Sequence, residues 1–282
     1  MGAGFAVQGR VNDVIRGAVE HPGQTAMPPP ALALRVISLD DSAERRALVR
    51  ANLETCALPW AFLDGSRPGD ASDLTDDAAG QRARFGRELT PGEVGCFRSH
   101  MRALDAFDAD PELAWLLVME DDVWLDPAFP YGELAGWLEA RGIGFLRLFA
   151  REWRRAWPRY RFGERQILYL ATDPFGAQGY LISRAAAEGF RSRVRRVVRP
   201  IDDEFGRFWE NSLDNHLLFP FPMVERHGAS TLNEARSGAA LEPATPGLRR
   251  KLARARDFLA KRAYLAWRLS PLARDRIRPV KR

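Results

Sequence analysis

The chain has 282 residues, 46% of them hydrophobic and 28% charged, with 42 Lys and Arg against 37 Asp and Glu. That length suits one large α/β domain with appendages, or two small ones, and the apolar content suffices for a substantial core. No run approaches the ~20 apolar residues of a membrane span, and the two cysteines, Cys56 and Cys96, give neither a disulfide framework nor a zinc pattern.

Residues 1–30 contain Arg10, Asp13, Arg16 and Glu20, which interrupt any signal-peptide core, and close on three prolines. They read as a poorly ordered leader, with Met27 a second candidate start. A reducing cytoplasm is expected. Residues 31–240 read as the main domain and 241–282 as a basic tail. Within 249–282 there are 13 Lys and Arg against two acids, a net charge of +11, whereas the preceding residues hold 29 basic and 35 acidic groups, or −6. The basic character therefore belongs to the tail.

The apolar run 32–39 predicts a first strand, followed by Asp40, Asp41 and Ser42 as cap candidates for a helix over 44–53. A short strand at 60–63 ends on Asp64 and Gly65, a turn signal. Residues 66–88, rich in Asp, Gly and Arg, predict a long loop. Thr90, Pro91 and Glu93 form a capping box with proline at the first helical position, and Val94, Phe97, Met101 and Leu104 continue an apolar face. A buried strand over 115–119 then runs into three consecutive carboxylates, Glu120, Asp121 and Asp122. Downstream, 129–140 predicts a helix, 144–149, 166–170 and 179–183 strands, 184–193 and 202–212 helices, and 217–224 an extended edge with Pro220 and Pro222. Between them, 151–165 interleaves six arginines with Trp153, Trp157 and Tyr160 as an anion-binding loop. Strands alternating with helices imply an α/β fold with a mostly parallel central sheet.

Open α/β sheets bind ligands beyond the carboxyl ends of their strands, so the acidic triplet marks the candidate site. Three adjacent carboxylates repel one another, and a divalent cation with oxygen ligands, Mn2+ or Mg2+ bound jointly with a substrate phosphate, relieves this. Asp122, the last of them, is the leading metal ligand. Alternation along a strand would put Glu120 on its side and Asp121 on the other. The end of the first strand, Ser38 and Asp40, together with Arg45 lies where such folds receive a nucleotide, and Asp64 at the second strand end is a further donor contact.

The order of motifs is more specific than any one of them: Val-Ile-Ser-Leu-Asp at 36–40, Phe-Leu-Asp-Gly at 62–65, Leu-Thr-Pro-Gly-Glu-Val-Gly-Cys-Phe-Arg-Ser-His at 89–100, Val-Met-Glu-Asp-Asp-Val at 118–123, Gly-Tyr-Leu-Ile-Ser-Arg at 179–184 and Pro-Ile-Asp at 200–202. Over residues 33–235 this series resembles glycosyltransferase family 25, which includes lipooligosaccharide β-galactosyltransferases. The resemblance implies a GT-A type nucleotide-sugar-binding fold, a UDP-sugar donor such as UDP-galactose, Mn2+ or Mg2+, inversion at the anomeric carbon, and a lipopolysaccharide or related glycan acceptor. It aligns Asp202 with the family's Pro-x-Asp as the base that takes the acceptor proton, with Asp203 and Glu204 beside it as alternatives. It brings Glu93 and His100 to the site, two helical turns apart on one face, and His227 as a third metal ligand with Glu120 and Asp122. His216 is a weaker alternative.

In the tail, Leu248, Leu252, Ala255, Leu259, Ala263 and Ala266 fall on one helical face among basic residues, the pattern of a helix drawn to anionic lipid. The expected placement is cytoplasmic and peripheral, on the inner face of the plasma membrane. No nucleic-acid partner is expected, given the acidic body. Two other readings share the acidic strand end: a metal-dependent nucleotidyl or phosphoryl transferase, and a non-catalytic adaptor that keeps the fold and docks on membranes.

Overall fold

The computed structural model describes residues 29–67, 69–226 and 248–269. The leader, apart from its last two residues, His227, and both ends of the tail lie outside them. Twelve strands and seven α-helices of four or more residues are found among the described residues. In chain order these are β1 (Leu32–Ser38), α1 (Ala43–Asn52), β2 (Trp60–Asp64), β3 (Thr75–Asp76), α2 (Pro91–Asp108), β4 (Trp115–Glu120), β5 (Val123–Leu125) and α3 (Tyr131–Glu139). They continue with β6 (Phe145–Arg147), β7 (Ala156–Phe162), β8 (Arg165–Leu170), β9 (Gly179–Ser183), α4 (Arg184–Arg193), β10 (Arg196–Val197), α5 (Ile201–Phe205), α6 (Phe208–Asn211), β11 (His216–Phe219), β12 (Met223–Glu225) and α7 (Leu248–Leu269).

Eight strands form one sheet in the order β2-β1-β4-β9-β6-β11-β8-β7. Six point the same way, as the alternation of strands and helices implied. The two reversed strands, β8 and β9, make four of the seven pairings antiparallel. Both faces of the sheet are covered, which explains the unbroken apolar run of β4. Trp115, Leu117 and Met119 join Leu34 and Val36 of β1 and Leu134 and Leu138 of α3 on one side. Leu116 and Val118 meet Phe97, Met101 and Leu104 of α2 and Phe190 of α4 on the other.

The structure departs from the expected elements in several places. Residues 66–88 are not one loop: they hold β3, a helical turn Ala78–Gly80 whose cap Asp77 accepts from Gly80 N–H, and a wider turn Gln81–Phe85. The arginine-rich segment contains β7, an edge strand with half-buried alternation that Pro158 and its arginines disguise. The helix expected over 202–212 splits into α5 and α6 around Gly206, where an added Cβ would lie 2.4 Å from Asp173. The stretch 217–224 is not an edge. β11 lies inside the sheet between β6 and β8, and Pro220 and Pro222 occupy the turn leading to β12. Ser42 does cap α1 by position, but its side chain makes no capping hydrogen bond.

Candidate functional site

The C-terminal ends of β1 and β4 meet the N-terminal half of α2 around a cavity of about 310 Å³. Cavities of about 350 and 680 Å³ lie elsewhere, the first rich in arginine and the second among residues such as Trp115 and Ser183, far along β4 and β9 from the acidic end. The first turn of α2 is fixed by its capping box: Thr90 Oγ1 accepts from Glu93 N–H at 3.2 Å, and Glu93 accepts from Thr90 N–H at 2.9 Å. Arg87 holds the buried Glu93 carboxylate with two 2.7 Å bonds. One turn on, a Cβ on Gly95 would stand 2.7 Å from the Ser66 carbonyl oxygen, so the loop after β2 can press against α2 only because this residue is glycine. Ser99 Oγ accepts from Ser66 N–H at 2.8 Å and pins that loop.

The acidic triplet does not continue β4. The strand ends at Glu120, and Asp121 and Asp122 form the turn into β5, so the expected alternation is lost and Glu120 and Asp121 line the same cavity. Asp121 is buried, accepts from Ser38 Oγ at 2.7 Å and pairs with Arg45 at 3.2 Å. Glu120 Oε1 meets His100 Nε2 at 3.1 Å, and His100 Nδ1 meets the Tyr180 hydroxyl at 3.1 Å. In the tautomer with its proton on Nε2, His100 donates to Glu120 and its Nδ1 accepts from Tyr180 O–H. That hydroxyl keeps its proton, because burial pushes its pKa well up. Asp122 turns toward β12: its carbonyl accepts from Arg226 N–H at 2.8 Å, and its carboxyl is pushed up to about 7 by burial and by the charges of Glu120, Asp121 and Glu225. Its Oδ1 is shielded from solvent and has no hydrogen-bond partner. An orphaned carboxylate oxygen among like charges suits a hard cation, which takes one or two protein carboxylates and fills its remaining positions with water and phosphate.

A smaller cleft of about 40 Å³ adjoins the cavity, lined by Glu93, Arg151, Gly176, Gln178 and Asp202, and sharing Cys96 and Glu120 with it. Asp202 Oδ1 accepts from Asp203 N–H at 3.0 Å and Oδ2 from Gly176 N–H at 3.4 Å. Its neighbours are engaged otherwise. Asp203 and Glu204 pair with the buried Arg199 at 3.2 and 3.0 Å, and Glu204 lines the arginine-rich cavity instead.

The structure thus brings together Ser38, Arg45, Glu93, His100, Glu120, Asp121 and Asp202. Asp64 is not among the lining residues: it is exposed and pairs with Arg46. Asp40 stands outside the walls but holds Arg67, which lines the cavity, at 2.7 Å; that guanidinium keeps the Asp40 carboxyl below its usual range. Among the described residues, three ligand-type groups converge within 4.8 Å of one another, Cys96, His100 and Glu120; Asp122 lines neither cavity, and His227 lies outside the described residues. His216 is buried in the sheet against Tyr169 and lines neither cavity. Arg67, Tyr180 and Gln178 were not legible as site residues. Only Arg67 had a signal, its place in the long loop after the second strand.

Residues 33–156 match the family model described as Glycosyltransferase family 25 (LPS biosynthesis protein). Among curated proteins, the lacto-N-neotetraose biosynthesis glycosyltransferase LgtE of Neisseria meningitidis serogroup B is 30% identical over 176 residues, 56% of this chain and 59% of that protein. The lipooligosaccharide biosynthesis protein lic2B of Haemophilus influenzae is 28% identical over 175 residues, 56% of this chain and 62% of its own. The chain thus spans about three fifths of the length of these relatives. A solved glycosyltransferase involved in glycosylating the major capsid of PBCV-1 aligns at a TM-score of 0.33 and 12% identity over 68% of this chain and 72% of that one, too distant to carry an argument. The segment that builds most of the candidate site, residues 33–156, is the one that matches the glycosyltransferase family 25 model.

Proposed function

We propose that the protein is an inverting glycosyltransferase of GT-A type that moves a hexose, galactose from UDP-galactose in the first instance, onto a lipopolysaccharide or lipooligosaccharide glycan. The 310 Å³ cavity is the donor site, where Ser38, Arg45, Arg67 and Asp121 meet the nucleotide diphosphate and ribose. The adjoining cleft receives the acceptor. The observation that carries the reading is Asp122, just past the end of β4, whose Oδ1 is shielded and unpartnered and whose carboxyl feels the charges of Glu120, Asp121 and Glu225. Asp122, with Glu120 near it, would hold Mn2+ or Mg2+, which would supply positive charge against the departing diphosphate. Asp202 lines the acceptor side and takes the proton of the attacking hydroxyl on its carboxylate. His100, oriented by Tyr180, holds Glu120 where the two cavities join. A lipid-linked acceptor puts the reaction at the cytoplasmic face of the plasma membrane, and nucleic acid has no part in it.

A UDP-release assay over a panel of UDP-sugars, with Mn2+ or with EDTA, tests the reading. The expected result is release with one sugar, abolished by EDTA. Release of pyrophosphate from a nucleoside triphosphate, with no UDP from any sugar, would replace it with the nucleotidyl-transfer reading.

A further inference from the structure

Helix α7 packs the wrong way round for a helix whose only partner is the body. An amphipathic helix ordinarily turns its apolar stripe to the core. Here the body-facing side is polar and aromatic: Asp257 pairs with Arg207 at 2.8 Å, the Tyr264 hydroxyl donates to Asp214 at 3.0 Å, Arg268 pairs with the same Asp214, and Lys261 lies 5.5 Å from the Trp209 ring centre. At 100° per residue, 257, 261, 264 and 268 fall within one narrow arc. On the opposite side, Leu252, Ala255, Leu259, Ala263 and Ala266 form a stripe, and every one of them is exposed, Leu252 at 61% and Leu259 at 66%. Lys251 and Arg262 border the stripe on one shoulder. Arg256 and the exposed Trp267 border it on the other. Residues 248–269 carry eight Lys and Arg against the single Asp257.

We infer that α7 is a membrane-docking element, held to the body by its polar side so that its aliphatic stripe enters an anionic lipid surface. The charge pattern selects this occupant. Long basic side chains at the shoulders of an apolar stripe can lay their stems along the acyl boundary and place their charges at anionic headgroups, with tryptophan at the same level. A nucleic acid would meet cations at the centre of the exposed side, and that centre is aliphatic. A second copy of the chain would bring the basic shoulders of two helices together. The position also serves the proposed reaction. Arg207, which holds Asp257 of α7, follows Gly206, which packs against Asp173, and Asp173 accepts from Phe175 N–H in the loop that leads to Gly176 at the acceptor-side cleft. The docked helix therefore stands behind the acceptor-side wall. The inference about α7 rests on its own packing, and only the link to a lipid-borne acceptor rests on the transferase reading.

The test is cosedimentation of the full chain with vesicles of phosphatidylcholine, with and without phosphatidylglycerol, for wild type, the double variant Leu252→Glu/Leu259→Glu, and Arg256→Gln/Arg262→Gln. Wild type is expected to bind only the anionic vesicles. Both double variants should lose at least about tenfold in affinity while keeping the wild-type melting temperature, since these side chains are exposed. Equal binding by wild type and the Leu→Glu variant would overturn the inference. So would light scattering that shows a dimer without lipid, dissociated by the same substitutions, because the stripe would then be a contact between copies. Vesicle binding is read without sugar and UDP release without vesicles, so either can fail alone.

Discussion

Asp122 sits just past the end of β4, with its Oδ1 shielded and without a donor and its carboxyl pushed up by burial and by the charges of Glu120, Asp121 and Glu225. A cation there binds the folded chain and not the unfolded one, so it adds stability by mass action. Millimolar Mn2+ at about pH 7.5 is expected to raise the melting temperature of wild type and leave that of Asp122→Asn unchanged; an equal rise in both would move the cation elsewhere. His216 provides a separate check. Burial pushes its pKa down to about 4, from an ordinary value of 6.5. The unfolded chain then takes up a proton below about pH 6.5 that the fold refuses, so stability falls as pH drops through that window, by roughly 3 kcal/mol at most. His216→Gln should flatten the acid side of a melting-temperature profile, and an unchanged slope would show that the ring is protonated in the fold. These residue-level chemistries were only partly legible. The triplet itself marks the site, but the strand stops at Glu120 and β5 then pairs with β12 a hundred residues away in sequence, a placement that no local pattern announces.

The N-terminal half of α2 is where local sequence and site geometry coincide. Its capping box is complete, and Gly95 lets the loop after β2 approach to contact distance. Gly95→Ala puts a methyl 2.7 Å from the carbonyl oxygen of Ser66, whose N–H is held by Ser99 Oγ, so the loop must shift. The expected cost is about 1–3 kcal/mol in stability, together with a raised KM for the donor, because Ser66 and Arg67 line its cavity. Unfolding midpoints and donor saturation curves check both, and an unchanged KM would separate the loop from donor binding. Thr90→Ala removes one cap bond and should cost about 1 kcal/mol. Elements with strong local signals, such as α2, β4 and α4, are legible residue by residue. β7 is not, because arginines and a proline suit an edge strand only once β8 lies beside it.

Across the whole molecule, the sheet gathers residues that no spacing rule connects. Tyr180 of β9 reaches His100 of α2 because β9 runs antiparallel beside β4, and Ser38 reaches Asp121 because β1 pairs with β4 in parallel. The α/β class and the strand-end site were legible from hydrophobic pattern. The reversal of β8 and β9, and with it the Glu120–His100–Tyr180 chain, was not, since direction is set by packing. The same holds for α7, whose composition suggests a lipid surface but whose outward stripe depends on Arg207, Trp209 and Asp214 of the body. The proposed function stands on Glu120, Asp121 and Asp122 as a cation-assisted nucleotide site. Calorimetric titration of UDP into wild type and Asp122→Ala, each with Mn2+ and with EDTA, is the decisive measurement. Binding by wild type in Mn2+ alone, at least about tenfold weaker in EDTA and lost in Asp122→Ala, is the predicted result. Equal UDP affinity in all four titrations, or none in any, would contradict it.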